Sequence, residues 1–214
     1  KSNNLYLEKT IIRKIYILLR LINQRTNGEI NKLENSKKID KLVRKISNQK
    51  LGDKILKLIK DQKLSVFFED FINEHNFEDH FWIEIKKDIK NQKNQSIVMA
   101  FLTIEIAKLL DKHSIEFILF KGVVLSLQTT NSFYKRGHSN DLDLIISEND
   151  ISKVVEVLGS IGFQLPEGFN NYLSNNLLGK YCRFVAHELT MYRDKGNQRQ
   201  FLDLHWRFSN ISHE

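Results

Sequence analysis

The segment Asp141-Leu142-Asp143-Leu144-Ile145-Ile146 decides the fold of this chain. Acidic and apolar residues alternate at its start, which predicts a strand with both aspartates on one face and the leucines on the other. Side chains two positions apart on a strand lie roughly 7 Å from each other, so the two carboxylates can share one divalent ion or a pair of ions. The same spacing also occurs as plain solubilising residues at strand ends, and the motif alone does not separate these interpretations.

The residues on either side of this strand favour the functional interpretation. Upstream, residues 115–120 form a short apolar run that ends at Lys121-Gly122, and a helical pattern follows over 123–127. A strand, turn and helix in this order offer free backbone N–H groups to a phosphate. Downstream, Asp203 lies between Leu202 and Leu204 on a predicted strand, where an acidic residue is costly unless it is paired or bound to metal.

If the strand of Asp203 pairs with the strand of Asp141 and Asp143, the three carboxylates come within about 5 Å on one face. Such a cluster repels itself without cations, and Mg²⁺ suits it because that ion accepts carboxylate oxygens together with substrate phosphates. Two ions would activate an attacking hydroxyl and stabilise a leaving pyrophosphate. The candidate catalytic and metal-binding residues are therefore Asp141, Asp143 and Asp203.

The rest of the chain predicts an α+β protein with two regions. Residues 1–95 form a helical N-terminal region, and residues 96–214 form a mixed α/β core. The predicted helices cover 5–22, 39–46, 51–59, 64–73, 81–112 and 147–159, the last closed by Gly162, and a loop or short helix covers 166–178. Two further strands are predicted over 183–192 and 200–208.

Composition and charge limit the classes of protein to consider. The chain has 214 residues, a net charge of +7 and one cysteine, Cys182. The absence of an internal disulfide fits the cytoplasm, and no apolar run reaches the roughly 20 residues of a membrane span. Residues 1–95 carry 21 Lys and Arg against 13 Asp and Glu. This excess suits nucleic acid, but the lysines are spread over several helices, which favours an ordinary solvated surface.

Three ordered motifs resemble those of a known family, the uncharacterised nucleotidyltransferases of the polymerase-beta-like superfamily. That family has a lysine-glycine turn, a D-x-D-L strand and an H-W strand. The matching segments are Ile118-Leu119-Phe120-Lys121-Gly122, the strand 141–146 with the helix that ends in Ile161-Gly162-Phe163, and Asp203-Leu204-His205-Trp206-Arg207. The similarity covers residues 114–208. It implies a nucleotidyltransferase-like mixed sheet with flanking helices, two Mg²⁺ ions on the three aspartates, and a nucleoside triphosphate, by default ATP, as substrate.

The resemblance also implies nucleotide-binding residues and some departures. Its candidates are Lys121, Gly122, Arg136, Ser139 and His205. The superfamily usually has a second small residue at the phosphate turn, whereas Val123 stands here in place of a phosphate-binding serine. His205 shares the face of Asp203 and either contacts phosphate or a carboxylate, or is a buried histidine beside Trp206. His187 and Glu188 either reach the site across the hairpin or form a solvated strand edge, and the solvated edge is the favoured interpretation. Family members continue with further helices, so C-terminal helices are expected to be missing here.

Two functions follow from these patterns. The first is an enzyme that moves a nucleoside monophosphate from a triphosphate to an acceptor, which is a small molecule, a peptide or RNA. The second, suggested by Val123, is a noncatalytic module with the same fold that binds a peptide, protein or nucleic-acid partner. No membrane partner is expected in either case.

Overall fold

The computed structural model describes residues 51–74, 77–136, 140–174, 176–196 and 198–207, together with Arg13, Tyr16, Ile17, Arg20 and Lys41. The helices predicted at 5–22 and 39–46 lie outside these residues except at those five positions. Contacts along the chain define two compact units, residues 1–93 and 94–214. Within the described residues, no helix has the length and apolar character needed to cross a membrane.

The described part of the first unit is helical. It contains α1 (Leu51–Asp61), a 3-10 turn (Ser65–Phe68), α2 (Glu69–Asn73) and the start of α3 (His80–Lys112). The aromatic residues of this region form much of its core, with Trp82 fully buried and stacked on Phe77 at a centroid distance of 4.8 Å. The bounds of these elements confirm the predicted helices 51–59, 64–73 and 81–112 to within a few residues.

The second unit is built on a four-stranded mixed sheet. Its strands are β1 (Phe117–Phe120), β2 (Asp141–Ile146), β3 (Glu188–Lys195) and β4 (Gln198–His205). Their order in the sheet is β1-β2-β4-β3, with β2 and β4 parallel and the two outer pairs antiparallel. The α+β prediction of a mixed sheet with flanking helices is confirmed.

One face of this sheet forms the core of the unit. Leu142, Leu144, Leu202 and Leu204 are buried there because alternate residues of a strand point to the same side. They pack in one cluster with apolar residues of α3, α4 (Gly122–Thr130) and α5 (Ile151–Gly159). A 3-10 turn (Glu148–Asp150) precedes α5, and Ser147 caps it by accepting the N–H of Asn149.

The prediction of a strand over 183–192 is wrong at its start, because β3 begins only at Glu188. Residues up to Val185 belong to α6 (Leu177–Val185), which follows a 3-10 turn (Phe169–Leu173). Asn176 caps this helix by accepting the N–H of Gly179 at 2.8 Å. Aromatic and β-branched residues near its end favour a strand by composition, but the cap and the helical spacing of the apolar residues decide the structure. The second strand ends at His205, before the predicted 208.

A buried arginine links the sheet to α3 inside the second unit. The guanidinium of Arg193 donates to both carboxylate oxygens of Glu105, at 3.0 and 2.5 Å, and its Nε donates to Gln200 at 2.7 Å. It also donates to the carbonyl of Ile161. The pKa of Glu105 lies below its usual value, chiefly because of the hydrogen bond from Arg193. This network fixes the edge of the sheet against the long helix.

Replacement of Arg193 by methionine should lower the free energy of unfolding by about 2 kcal/mol. This is less than for a fully buried pair, since Glu105 keeps contact with water. Urea unfolding followed by circular dichroism measures the change. Lys195→Met is the control, because the exposed Lys195 lies 3.5 Å from the same carboxylate. This substitution should change the free energy of unfolding by less than about 0.5 kcal/mol. Equal effects of the two variants would contradict the role given to Arg193.

Candidate active site

The face of the sheet opposite the core carries the predicted acidic residues. In the parallel pairing of β2 with β4, Asp143 lies directly opposite Asp203, and Asp141 lies opposite Phe201. Directly opposed residues share a face, so the leucines that bury the other face determine that these carboxylates meet on this one. Asp143 is buried, with 4% of its surface exposed, and Asp141 and Asp203 are half-buried.

Two basic side chains lie against the buried carboxylate of Asp143. Lys121 Nζ donates to Asp143 Oδ1 at 2.7 Å, and His205 Nε2 is 3.2 Å from the same oxygen. The ring of Phe120 contacts both, with Lys121 Nζ 4.9 Å from its centroid and the imidazole centroid 5.0 Å away. The pKa of Lys121 lies above its usual value, mainly through the hydrogen bond to Asp143. The charge of Asp143 is therefore compensated by the protein itself.

The backbone at the lysine-glycine turn is strained. Lys121 has φ 63° and ψ −164°, a region that is almost restricted to glycine and costs on the order of 1–3 kcal/mol for other residues. Gly122 follows with φ 45° and begins α4. This conformation turns the chain sharply between β1 and α4, and it brings the side chain of Lys121 over the sheet to Asp143. Strain of this kind is typical of functional sites.

The negative charge of Asp203 is compensated less completely than that of Asp143. Its Oδ1 accepts a hydrogen bond from Thr190 Oγ1 at 2.6 Å, across the β3–β4 pair. Its pKa is nevertheless raised above the usual value, first because burial disfavours the charged form and then because of the negative charges of Asp141, Glu188 and Asp143. The ionised site carries excess negative charge at this position, which is the electrostatic condition for binding a cation.

A divalent cation fits the donor atoms that this face presents. Among the described residues, one group of possible ligands has donor atoms within 4.8 Å of one another, and it consists of Asp143, Asp203 and His205. The two carboxylate oxygens suit Mg²⁺ and Mn²⁺, and the imidazole nitrogen is a ligand that first-row transition ions accept more readily than Mg²⁺. Asp141 lies outside this group, although its charge acts on both Lys121 and Asp203.

The predicted nucleotide-binding residues differ in how close they lie to the carboxylates. Lys121, Gly122 and His205 lie at or beside the carboxylates. Arg136 is exposed, and its backbone N–H donates to Ser126 Oγ on α4 at 3.2 Å. Ser139 lies outside the described residues, so its role stays a prediction.

Two residues of β3 also contact the site: Thr190 was not singled out from the sequence, and for Glu188 a contact with the site was the less favoured of two interpretations. Thr190 holds Asp203, and Glu188 Oε2 lies 3.3 Å from His205 Nδ1. Both are on the site face because they pair with Asp203 and His205. Their alternation with the buried Leu189 and Met191 is the signal for that face. Which residues of β4 they contact can be deduced only from the register of the β3–β4 pair.

A mixed sheet with helices on one face and paired carboxylates on the other is consistent with the nucleotidyltransferase-like class of protein. A family model described as "Uncharacterised nucleotidyltransferase" matches residues 49–214, and the chain belongs to that family. The resemblance found in the motifs is thus confirmed. No curated protein matches the chain, and no solved structure matches it.

Asp203→Asn should raise the free energy of unfolding at pH 7, by on the order of 1 kcal/mol. The neutral amide keeps an oxygen for Thr190 and removes a half-buried charge. Because the folded-state pKa of Asp203 is raised, the wild-type penalty is full above that pKa and disappears as the pH falls towards the unfolded value. Thermal unfolding in EDTA from pH 7 to pH 4 should show that the difference in stability between Asp203→Asn and the wild type becomes smaller as the pH falls. A variant less stable than the wild type at pH 7 would contradict the interpretation.

Proposed function

We propose that the protein is a Mg²⁺-dependent nucleotidyltransferase that moves a nucleoside monophosphate from a triphosphate, by default ATP, to an acceptor hydroxyl or similar group. The observation that carries this proposal is the direct opposition of Asp143 and Asp203 on parallel strands, in a chain of a nucleotidyltransferase family. The acceptor is a small molecule, a peptide or RNA. Cys182, the single cysteine, supports the cytoplasm as the compartment.

In this proposal Asp141, Asp143 and Asp203 hold the cations. Two ions held there would supply the positive charge that activates the acceptor hydroxyl and neutralises the charge developing on pyrophosphate. The carboxylates need no large movement to bind metal, because hydrogen bonds and strand pairing already fix Asp143 and Asp203. Such preorganisation is what makes an electrostatic site effective.

Lys121 and Gly122 are proposed to receive the triphosphate. The first turn of α4 starts at Gly122 and has free N–H groups that favour an anion. The side chain of Lys121 is 54% exposed, so its ammonium can exchange its carboxylate partner for a phosphate oxygen without unfolding the turn. Arg136 and Ser139 lie on the segment between α4 and β2 and are proposed as further phosphate contacts.

One observation favours the alternative, a noncatalytic module of the same fold that binds a peptide, protein or nucleic-acid partner. Lys121 pairs with Asp143, so an internal cation already compensates the carboxylate that a metal would need. Val123, at the position of the phosphate-binding serine, packs in the core cluster. This version predicts no heat when MgATP is added in a calorimeter, whereas the enzyme predicts a saturable signal.

Asp143→Asn should reduce pyrophosphate release from labelled triphosphates at least about 100-fold, the scale of losing a main electrostatic contact in an active site. The amide keeps the shape of the side chain but removes the charge that binds a cation. Activity is measured with each of the four triphosphates and a cell extract as the source of acceptor.

Asp194→Asn is the matched control for this experiment. Asp194 is an exposed aspartate at the far end of β3, paired with Arg199 at 2.8 Å, and its replacement should leave activity unchanged. Equal pyrophosphate release from the wild type and Asp143→Asn would refute the proposed enzyme.

A further inference from the structure

His205 lies between two carboxylates on the site face. Its Nε2 is 3.2 Å from Asp143 Oδ1, and its Nδ1 is 3.3 Å from Glu188 Oε2. The ring is buried, with 6% of the residue exposed, and the edge-on contact with Phe120 restricts its rotation. The imidazole is therefore held in one orientation with its two nitrogens facing different partners.

A carboxylate beside Nδ1 suits a metal-binding histidine. When Nδ1–H donates to a carboxylate, the lone pair is left on Nε2, and this is the usual way in which proteins fix the tautomer of a ligating imidazole. Here Nε2 belongs to the group of donor atoms within 4.8 Å that includes Asp143 and Asp203. Glu188 is placed on the far side of the ring from these two carboxylates.

Strand β3 supports the site in the same manner at two positions. Thr190 is paired with Asp203 and donates to its carboxylate, and Glu188 is paired with His205 and faces its Nδ1. Each of the two residues thus contacts one candidate ligand on β4 from the neighbouring strand. Glu188 is 45% exposed, so its side chain is not needed to fill the core. Its Oε2 lies 3.3 Å from His205 Nδ1 and 3.7 Å from Nε2 of the neighbouring His187, so the contact with His205 is the shorter of the two.

We propose that Glu188 is a positioning residue, which holds His205 so that Nε2 is a nitrogen ligand of the cation at Asp143 and Asp203. This inference rests on the proposed function and adds the imidazole to its ligand set. A nitrogen ligand strengthens binding of first-row transition ions more than that of Mg²⁺, which prefers oxygen. The site therefore binds Mn²⁺ more tightly than Mg²⁺, and the margin depends on Glu188 and His205.

Electron paramagnetic resonance with Mn²⁺ as the probe tests the proposal without an activity assay. The whole chain is titrated with Mn²⁺ alone, and electron spin echo modulation is recorded on the bound ion. The expected result is ¹⁴N modulation from one imidazole. Glu188→Ala should weaken Mn²⁺ binding by about 10- to 100-fold, as for other outer partners of metal ligands, and should reduce the ¹⁴N signal.

Two further variants separate the positioning role from a general loss of charge. Glu188→Gln keeps an oxygen that accepts from Nδ1–H, so it should retain the ¹⁴N signal and bind Mn²⁺ more tightly than Glu188→Ala. Glu116→Ala removes an exposed glutamate just before β1 and should behave as the wild type. The weakening by Glu188→Ala should be larger for Mn²⁺ than for Mg²⁺, which is measured by competition.

Bound Mn²⁺ without ¹⁴N modulation would overturn the inference and leave the nucleotidyltransferase proposal intact, as would identical Mn²⁺ affinities for the wild type and Glu188→Ala. Pyrophosphate release with Mg²⁺, measured on the same preparations, distinguishes these results from failure of the enzyme proposal. A chain that binds no Mn²⁺ and releases no pyrophosphate would overturn both.

Discussion

The parallel pairing of β2 with β4 places two carboxylates, Asp143 and Asp203, directly opposite each other. Like charges at this spacing destabilise a sheet, and the surrounding residues compensate for it. Lys121 and His205 contact Asp143, and Thr190 donates to Asp203. The raised pKa of Asp203 indicates that compensation is incomplete. Under the proposed function, this incomplete compensation is the stability that the site gives up in order to bind a cation.

The opposite face of the sheet makes this arrangement possible. Leu142 and Leu144 on β2 and Leu202 and Leu204 on β4 are buried under the helices of the second unit. A slip of one residue would turn these leucines to solvent and the aspartates to the core. The hydrophobic core therefore fixes the register, and the register fixes the distance between the carboxylates.

The elements of the site follow from the sequence more readily than its contacts do. The bounds of the strand Asp141–Ile146 and the turn at Lys121-Gly122 agree with the pattern of residues, since alternation and a strand–turn–helix sequence are local signals. The end of α6 was misassigned to a strand because its residues have strand propensity, while the helix is signalled by a single capping asparagine. Local patterns therefore sufficed for most of the fold of the described residues.

Contacts between distant segments could not be predicted in this way. For Glu188 the solvated edge was favoured over a contact with the site, yet it faces His205. The partner of a residue across a sheet depends on register and not on its neighbours in the chain. The strained backbone of Lys121 could not be predicted either, because the residue type lysine gives no indication of a positive φ. It follows from the need to turn from β1 into α4 while the side chain reaches Asp143.

The most direct test of the account is the position of a bound cation. Crystals grown with Mn²⁺ and a non-hydrolysable triphosphate should give an anomalous difference peak between the carboxylates of Asp143 and Asp203, with the triphosphate at the start of α4. An anomalous peak at another place, with these two carboxylates unchanged and still paired with Lys121 and Thr190, would contradict the central claim.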